Sequence, residues 1–274
     1  MAADGIIYAI PTYDRPALIQ EATLAYLEWS DVLPEQVDIW VSGESQMPLY
    51  KDLPAQWKAR LRVGRRGLME NRNYADAQYP AGTRLLWLND DIFYIRRLMP
   101  DAEKVLGRLT KVPITEVASA GFSLCEQHGA HMWGIFSNDN RLSMNFTRVR
   151  TSLCYVVGCF YGVIVRDAPE LLIEYGGAKE DYERVLKYYE KDGRVVRMDY
   201  YCPKTIYYNS PDMFSEERGV QLEANIRALE QRWPQWVSRH HRKRRKTPWP
   251  EITVRDHRRR NPPPTRLVQG SLFA

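Results

Sequence analysis

Short apolar runs alternate along the first two hundred residues with segments in which apolar side chains recur at helical spacing. The runs predict strands at residues 6–10, 37–41, 83–88, 117–124, 156–165, 195–198 and 205–208. The helical spacing predicts helices over residues 17–29, 67–79, 180–191 and 215–236. This alternation indicates an α/β fold, with a Rossmann-like, mostly parallel sheet that has helices on both faces.

Polar segments follow three of the predicted strands at their carboxyl ends. These segments are residues 11–15, 42–44 and 89–91. Ligands of open α/β sheets bind beyond the carboxyl ends of the strands. We therefore expect the three segments to lie together and to form a ligand site.

Two pairs of acidic residues carry the candidate chemistry. Asp90 and Asp91 follow the apolar run 85–88, and Glu180 and Asp181 begin a predicted helix shortly after two glycines. A buried strand that ends in carboxylates is suited to hold a divalent cation, and a second acid pair within reach supplies a candidate general base. This arrangement predicts a metal-assisted transfer enzyme. The alternatives are an ordinary polar loop and an acidic first helical turn that the helix dipole favours.

The composition is that of a globular protein, with 274 residues of which 44% are hydrophobic and 12% aromatic. No stretch approaches about eighteen uninterrupted apolar residues, so we expect no membrane span. The N-terminus lacks the basic region and cleavage site of a signal peptide. Cys125, Cys154, Cys159 and Cys202 form no CxxC pair, which predicts reduced thiols in a cytoplasmic protein.

The charge is distributed unevenly along the chain. Residues 239–260 hold ten Lys or Arg and two acids, so the net charge of +5 combines a strongly basic tail with a mildly acidic body. This asymmetry indicates a polyanionic partner, first nucleic acid and second an acidic membrane surface. Prolines in the same region predict an extended, loosely packed arm. We expect a catalytic domain at 1–212, a C-terminal helix packed on it at 213–238, and the basic arm at 239–274.

Four motifs in chain order resemble those of the GT-A glycosyltransferases. Residues 9–15, Ala-Ile-Pro-Thr-Tyr-Asp-Arg, resemble the opening strand and loop of the family, and residues 70–73, Glu-Asn-Arg-Asn, resemble its "ARN" helix. Residues 88–91, Leu-Asn-Asp-Asp, stand where the DxD motif is expected, and residues 176–181, Gly-Gly-Ala-Lys-Glu-Asp, where the acceptor-side "GxED" motif is expected. The resemblance implies a GT-A fold, a UDP-sugar donor and a Mn²⁺ or Mg²⁺ ion.

The resemblance also implies roles for individual residues. Asp91, with Asp90 beside it, would hold the metal ion, and Asp181 would be the general base of an inverting reaction, with Glu180 as the alternative. One departure is that Asn89 replaces the first Asp of the usual DxD motif and brings no negative charge to the cation. Contacts to the nucleotide-sugar are expected from Pro11, Thr12, Asp14, Arg15, Ser42, Glu44, Arg72 and Asn89. Contacts to the acceptor are expected from His131, Trp133 and Gly177.

The basic arm narrows the resemblance further. A small GT-A enzyme joined to an arginine-rich arm is similar to the DNA glycosyltransferases of phages and of the kinetoplastid base J pathway, which add sugars to hydroxymethyl groups of pyrimidines. This similarity implies that the acceptor is 5-hydroxymethylcytosine or 5-hydroxymethyluracil in DNA. Phosphate contacts are then expected from Arg239, Arg242, Lys243, Arg244, Arg245 and Lys246.

Three other functions fit parts of the sequence. One is a GT-A transferase that acts on a polysaccharide, lipid or protein, and another is a metal-dependent nuclease built on the four acids. The third is a nucleic-acid-binding module without chemistry. A zinc site at Cys125, His128 and His131 is disfavoured because the sequence offers no partner pair at a zinc-like spacing.

Overall fold

The computed structural model describes residues 5–206, 215–240 and 251–256. The strands in these ranges are β1 (Ile6–Thr12), β2 (Val37–Val41), β3 (Leu61–Val63), β4 (Arg84–Leu88), β5 (Ile92–Met99), β6 (Arg108–Val112), β7 (Met132–Ile135), β8 (Val149–Arg150), β9 (Phe160–Ile164), β10 (Val196–Met198), β11 (Tyr201–Thr205), β12 (Val237–His240) and β13 (Glu251–Val254). The α-helices are α1 (Pro16–Ile19), α2 (Ala25–Trp29), α3 (Ala55–Lys58), α4 (Leu68–Asp76), α5 (Ile114–His128), α6 (Glu180–Asp192) and α7 (Glu216–Arg232). A π-helical turn, Gln20–Leu24, joins α1 to α2.

An eight-stranded sheet forms the centre of the fold, in the order β3-β2-β1-β4-β9-β7-β10-β8. β1 pairs in parallel with β2 and β4, β2 pairs in parallel with β3, and β7 pairs in parallel with β10. β9 runs antiparallel between β4 and β7, and β8 runs antiparallel to β10. The prediction of a mostly parallel sheet flanked by helices is therefore confirmed.

β4 is buried on both faces, which is why its sequence is one continuous apolar run. Leu86 and Leu88 belong to the core that also contains residues of α2 and α5. Leu85 and Trp87 belong to the core on the opposite face, which includes residues of α4, α6 and α7. Successive side chains of a strand point to opposite faces, so this single strand joins both cores and carries the acids that follow it to the rim.

Two smaller sheets accompany the central one. β5 pairs antiparallel with both β6 and β11. β12 and β13 form an antiparallel pair in which Val237 lies opposite Val254. Ile252 and Val254, which fall within the predicted loose arm at 239–274, are buried in the core that includes residues of α7.

The strand predicted at residues 117–124 is wrong, because this segment lies inside α5. Its apolar side chains suggested a strand, but the buried residues Val117, Gly121, Phe122 and Cys125 recur at helical spacing. The helix ends at Gly129, which has the left-handed conformation that glycine adopts without strain.

Other boundaries differ by a few residues. The strand predicted at 156–165 is the shorter β9, and the last strand of the body, β11, ends where a strand was predicted at 205–208. Residues 207–208 of that prediction, with 241–250 and 257–274 of the predicted arm, lie outside the described residues. Among the helices of the described ranges, none has the length and apolar character needed to cross a membrane.

We predict that Gly162→Ala destabilises the protein by about 1–3 kcal/mol, because the site is already fully packed. A methyl group at Gly162 would overlap the indole of Trp133, and Gly121 packs against the same indole from another element. Chemical denaturation followed by tryptophan fluorescence measures the loss. The control is Gly162→Ala combined with Trp133→Leu, which we expect to cost less than the sum of the two single changes. Simple additivity would contradict the proposed overlap.

Candidate active site

Asp90 joins the end of β1 to the loop that follows β4. Its Oδ2 atom accepts a hydrogen bond from the Thr12 hydroxyl at 2.9 Å, and its Oδ1 atom accepts one from Arg15 Nη1 at 3.4 Å. The Tyr50 hydroxyl lies 2.8 Å from that of Thr12. Burial raises the pKa of Asp90 to about 6, although Arg15 and Thr12 act in the opposite direction. Both oxygens of Asp90 already have partners in the protein.

Asp91 differs from its neighbour because part of its carboxylate has no partner. It is 8% exposed, and its Oδ1 atom is buried without a hydrogen bond to any described residue. Burial raises the pKa of this carboxyl group, although the Thr205 side chain and the charge of Arg15 act in the opposite direction. A buried carboxylate oxygen is costly unless it is hydrogen-bonded or coordinates a cation. The donor chemistry of Asp91 therefore fits a hard divalent cation.

The described residues contain no cluster of three or more His, Cys, Asp or Glu side chains that could hold a metal ion. A cation at Asp91 would need most of its remaining ligands from water and substrate. Mg²⁺ is commonly bound in this way, through one or two carboxylates together with substrate phosphates.

A buried arginine connects the loop after β4 to the second acid pair. Arg72 of α4 is 1% exposed and donates from Nη2 to Asn89 Oδ1 at 2.9 Å and to the Gly158 carbonyl at 2.8 Å. Its Nη1 atom donates to Glu180 Oε1 at 3.2 Å. The guanidinium therefore holds three chain segments together at the rim of the sheet. In place of the expected phosphate contact, the structure shows Arg72 bonded within the protein.

The two acids at the start of α6 have different surroundings. Glu180 faces Arg72, and burial raises the pKa of its carboxyl group although that arginine opposes the rise. Asp181 accepts a hydrogen bond at Oδ2 from the Tyr155 hydroxyl, at 2.5 Å, and one at Oδ1 from the Tyr182 backbone N–H, at 3.0 Å. A Cβ atom at Gly158 would lie 3.1 Å from that of Asp181, so the absence of a side chain there gives the aspartate room.

The loop before the acid pair is held by α7. The Gly176 carbonyl accepts hydrogen bonds from Gln221 and Asn225, both at 2.9 Å, and Asn225 also donates to the Ala178 carbonyl at 2.8 Å. Gly177 has a φ of +82°, and a side chain there would also meet Gln221. The structure thus gives Gly177 a conformational role in the loop that leads to the acids.

A cleft of about 420 Å³ opens at the carboxyl ends of β1, β2 and β4. Its lining residues are Pro11, Thr12, Tyr13, Arg15, Ser42, Arg66, Gly67, Leu68, Asn71, Asn89 and Asp90. The lining includes five of the residues predicted for the donor, from all three polar segments. Asp14 and Glu44 are not among the lining residues. Asp14 donates its backbone N–H to Gln46, and Glu44 begins a short 3₁₀ helix.

Asn71 is a cleft residue that the sequence reasoning missed. It is fully buried, donates from Nδ2 to the Trp40 carbonyl at 3.0 Å, and accepts from the Arg65 backbone at 3.2 Å. Arg66, a second lining residue that was not predicted, adds a positive charge to the cleft. The signal was present in the motif at 70–73, where a helix that begins beside the polar segments carries an asparagine before the arginine.

His131 and Trp133 do not reach the cleft. Trp133 is 0% exposed and packs edge-on against Phe122 and Phe160 in the core. His131 directly precedes β7. The first residue of β7, Met132, pairs with Val163 of β9, which in turn pairs with Leu85 near the start of β4. His131 therefore lies at the rim of the sheet opposite to the cleft. There its Nδ1 atom lies 3.2 Å from Asp192 Oδ2. The structure thus places Trp133 in the core and His131 in contact with Asp192, and neither residue lines the cleft.

The basic residue Arg239 is bonded within the protein. Its guanidinium donates to Glu223 and Glu230 of α7 at distances between 2.8 and 3.2 Å. These contacts fasten β12 to α7 and occupy the side chain that was predicted to contact DNA. The other five residues predicted for that role, Arg242, Lys243, Arg244, Arg245 and Lys246, lie outside the described residues.

We predict that Arg72→Met lowers the free energy of unfolding by about 3 kcal/mol, because removal of one partner of a buried ion pair leaves the other charge uncompensated. Combining it with Glu180→Gln is expected to recover part of the loss. Equilibrium denaturation of the four proteins of this cycle measures the coupling.

The matched control for Arg72 is Arg84→Gln, because the side chain of Arg84 is 38% exposed and pairs with an exposed Glu126. We expect this change to cost less than about 1 kcal/mol. An equal cost for the two arginine changes would contradict the anchoring role of Arg72.

No protein-family model matches the chain, and no curated protein matches it in sequence. Solved structures do resemble it. S. aureus TarS 1–349 in complex with UDP-GlcNAc is 15% identical with a TM-score of 0.53, over 82% of this chain and 66% of that chain, just under two thirds of its length. Glucosyl-3-phosphoglycerate synthase from Mycobacterium tuberculosis, in complex with Mn²⁺, UDP-glucose and phosphoglyceric acid, is 13% identical with a TM-score of 0.52, over 92% and 90% of the two chains. The likeness shows that this chain has a GT-A glycosyltransferase fold.

Proposed function

We propose that this protein is a metal-dependent glycosyltransferase that moves a sugar from a UDP-sugar to a hydroxyl group of its acceptor. The observation that carries the proposal is the unpartnered Oδ1 atom of Asp91, which directly follows the cleft residues Asn89 and Asp90 in sequence. Arg72 ties the second acid pair to the same loop. The fold adds support, because the similar TarS and synthase structures hold UDP-GlcNAc and UDP-glucose.

In this proposal the cleft binds the nucleotide diphosphate. Arg15 and Arg66 supply positive charge, and Thr12 and Ser42 supply hydroxyl groups at its walls. Asp91 would hold the cation. When bound, the Mn²⁺ or Mg²⁺ ion supplies Lewis-acid neutralisation of the charge that develops on the leaving diphosphate.

Asp181 is the proposed general base, because its carboxylate is free of the strong ion pair that holds Glu180. It would take the proton of the acceptor hydroxyl as that oxygen attacks the anomeric carbon, and attack opposite the diphosphate inverts the configuration. The hydrogen bond from Tyr155 orients the carboxylate. Glu180, bound to Arg72, would keep the start of α6 in register with the loop after β4.

For the acceptor we propose the hydroxymethyl group of 5-hydroxymethylcytosine or 5-hydroxymethyluracil in DNA. The support is the concentration of basic residues, five of which fall in sequence between the paired strands β12 and β13. Lys and Arg in such numbers suit the phosphate backbone, whose contacts give affinity rather than sequence recognition. Reaction at the base would require it to be turned out of the stack.

The nuclease alternative loses support, because two of its four acids are paired with arginines. Asp90 is bonded to Thr12 and Arg15, and Glu180 is bonded to Arg72. A two-metal mechanism needs carboxylates that are available to both cations.

We predict that DNA containing either hydroxymethylated base gains the mass of one sugar when it is incubated with the protein, Mn²⁺ and a panel of UDP-sugars. Nucleoside mass spectrometry detects the product. Asp181→Asn is expected to lower turnover by about 10²- to 10⁴-fold while donor binding is kept, because only proton transfer is lost.

Asp91→Asn is expected to weaken metal-dependent binding of UDP, measured by calorimetry with and without Mn²⁺. The matched control is Asp52→Asn, which changes an exposed carboxylate that is not among the cleft residues. It should preserve both sugar transfer and metal-dependent UDP binding. Slow UDP-sugar hydrolysis without DNA modification would retain the transferase and reject the DNA acceptor. Nicked DNA without use of any donor would reject the transferase.

A further inference from the structure

Three arginines converge on one buried aspartate, Asp199, which is linked to the candidate base through Arg197 and Tyr155. Asp199 is fully buried and accepts hydrogen bonds from Arg150 Nε at 2.8 Å, from Arg197 Nε at 2.7 Å and from Arg148 Nε. Burial alone would raise the pKa of Asp199, but the guanidinium groups hold it below its usual range. One carboxylate balances one of the three cations, so the cluster keeps an excess of two positive charges.

Two of these arginines retain unused hydrogen-bond donors. Arg150 engages Asp199 through Nε, and its Nη1 and Nη2 atoms have no hydrogen bond to the described part of the chain. Arg148 adds one bond from Nη2 to the Ser143 carbonyl, at 3.2 Å. The side chains of Arg148 and Arg150 are each 29% exposed, whereas that of Arg197 is 10% exposed. Arg148 and Arg150 therefore offer fixed guanidinium groups to a ligand.

Strand register brings the cluster to the rim that carries the acids. Met198 of β10 pairs with Ile135, the last residue of β7. The residue before it, Gly134, pairs with Tyr161 of β9, and Tyr161 pairs on its other side with Trp87 near the end of β4. Asp199 therefore leaves the sheet at the same rim as the residues after β4. Three strand spacings separate β4 from β10, which corresponds to about 14 Å.

A direct chain of contacts joins the cluster to the acid pair. Arg197 Nη1 donates to the Tyr155 carbonyl at 2.6 Å, and the Tyr155 hydroxyl donates to Asp181. The donor cleft lies on the other side of the acids, at β1 and β2. The cluster thus stands where an acceptor would approach Asp181 from the side opposite the nucleotide.

We infer that Arg148 and Arg150 bind a phosphate group of the acceptor, and that Asp199, itself bonded to Arg197, holds their two guanidinium groups in position. Planar guanidinium groups match phosphate oxygens, and the bond to Asp199 holds each fork in place before the ligand arrives. This inference rests on the proposed transferase function and narrows its acceptor to a phosphate-bearing hydroxyl compound. A DNA backbone phosphate and a terminal phosphate monoester share this chemistry.

The first test measures phosphate binding without turnover. The full chain is saturated with UDP and Mg²⁺, and its melting temperature is followed as inorganic phosphate replaces chloride at constant ionic strength. We expect the parent to be stabilised by phosphate, and Arg150→Gln and Arg148→Gln to lose most of that shift. Each variant keeps two arginines on Asp199, so the buried carboxylate stays paired. Arg84→Gln, at the opposite rim, is the matched control and should behave as the parent does.

The second test measures kcat and KM for 5-hydroxymethyldeoxycytidine, its 5′-monophosphate and a hydroxymethylated oligonucleotide. We expect Arg150→Gln to lower kcat/KM by about 10- to 100-fold for the phosphorylated acceptors, mainly through KM, because charge-assisted hydrogen bonds are lost. The unphosphorylated nucleoside and donor hydrolysis should be unaffected. A loss confined to the oligonucleotide assigns the site to the backbone, and a loss that includes the monophosphate assigns it to a single phosphate group.

The two proposals fail in different ways. The phosphate site is overturned, and the transferase stands, if phosphate stabilises Arg150→Gln as much as the parent. The same follows if Arg150→Gln lowers kcat/KM equally for the nucleoside and for the nucleotide. If the parent uses no pyrimidine acceptor but its response to phosphate still depends on Arg150, the DNA acceptor is rejected and the phosphate site stands. Phosphorylated hydroxy acids, compared with their unphosphorylated forms, then replace the nucleotides in the same assay.

Discussion

The site depends on one buried guanidinium. Arg72 lies almost fully inside the protein, where a cation is tolerated only if it is paired and hydrogen-bonded. Its partners come from three distant parts of the sequence: Asn89 after β4, the Gly158 carbonyl before β9, and Glu180 at the start of α6. Because this single group binds all three partners, the loop after β4 and the start of α6 are held at one spacing. The asparagine at 89 fits this role, since its amide oxygen accepts the bond without adding a third negative charge beside Asp90 and Asp91.

The two carboxylates after β4 are distinguished by what surrounds them rather than by their type. Asp90 has partners on both oxygens and ties β1 to β4, whereas Asp91 retains a buried oxygen that the described residues leave unbonded. A similar division separates Glu180, which an arginine neutralises, from Asp181, which a tyrosine hydroxyl orients. In each pair one acid is paired with an arginine and the other, within the described part of the chain, is not. This division follows from burial and partner geometry, which adjacent positions in a sequence do not reveal.

The features that could be predicted from sequence are those that local pattern determines. The apolar run of β4 and the polar segments at 11–15, 42–44 and 89–91 were enough to locate the cleft, because parallel strands end at one rim. The segment at 117–124 was misassigned because its short apolar run suggested a strand locally, whereas in the fold it lies inside α5 with Gly121 packed against Trp133. The contacts of His131, Arg72 and Arg239 could not be predicted from the sequence either. Each depends on a partner between 9 and 108 residues away, and charge pairing over such separations is set by the tertiary fold.

Helix α7 contacts two separate segments of the chain, a strand pair and a loop. One side binds the hairpin of β12 and β13 through Arg239, and the other binds the loop 176–178 that leads to the acid pair. A division of the chain after residue 212 would therefore separate the acids from the helix that keeps their loop in place. One helix therefore links the β12–β13 pair to the loop that precedes Glu180 and Asp181, so a displacement of that strand pair would be transmitted to this loop through α7.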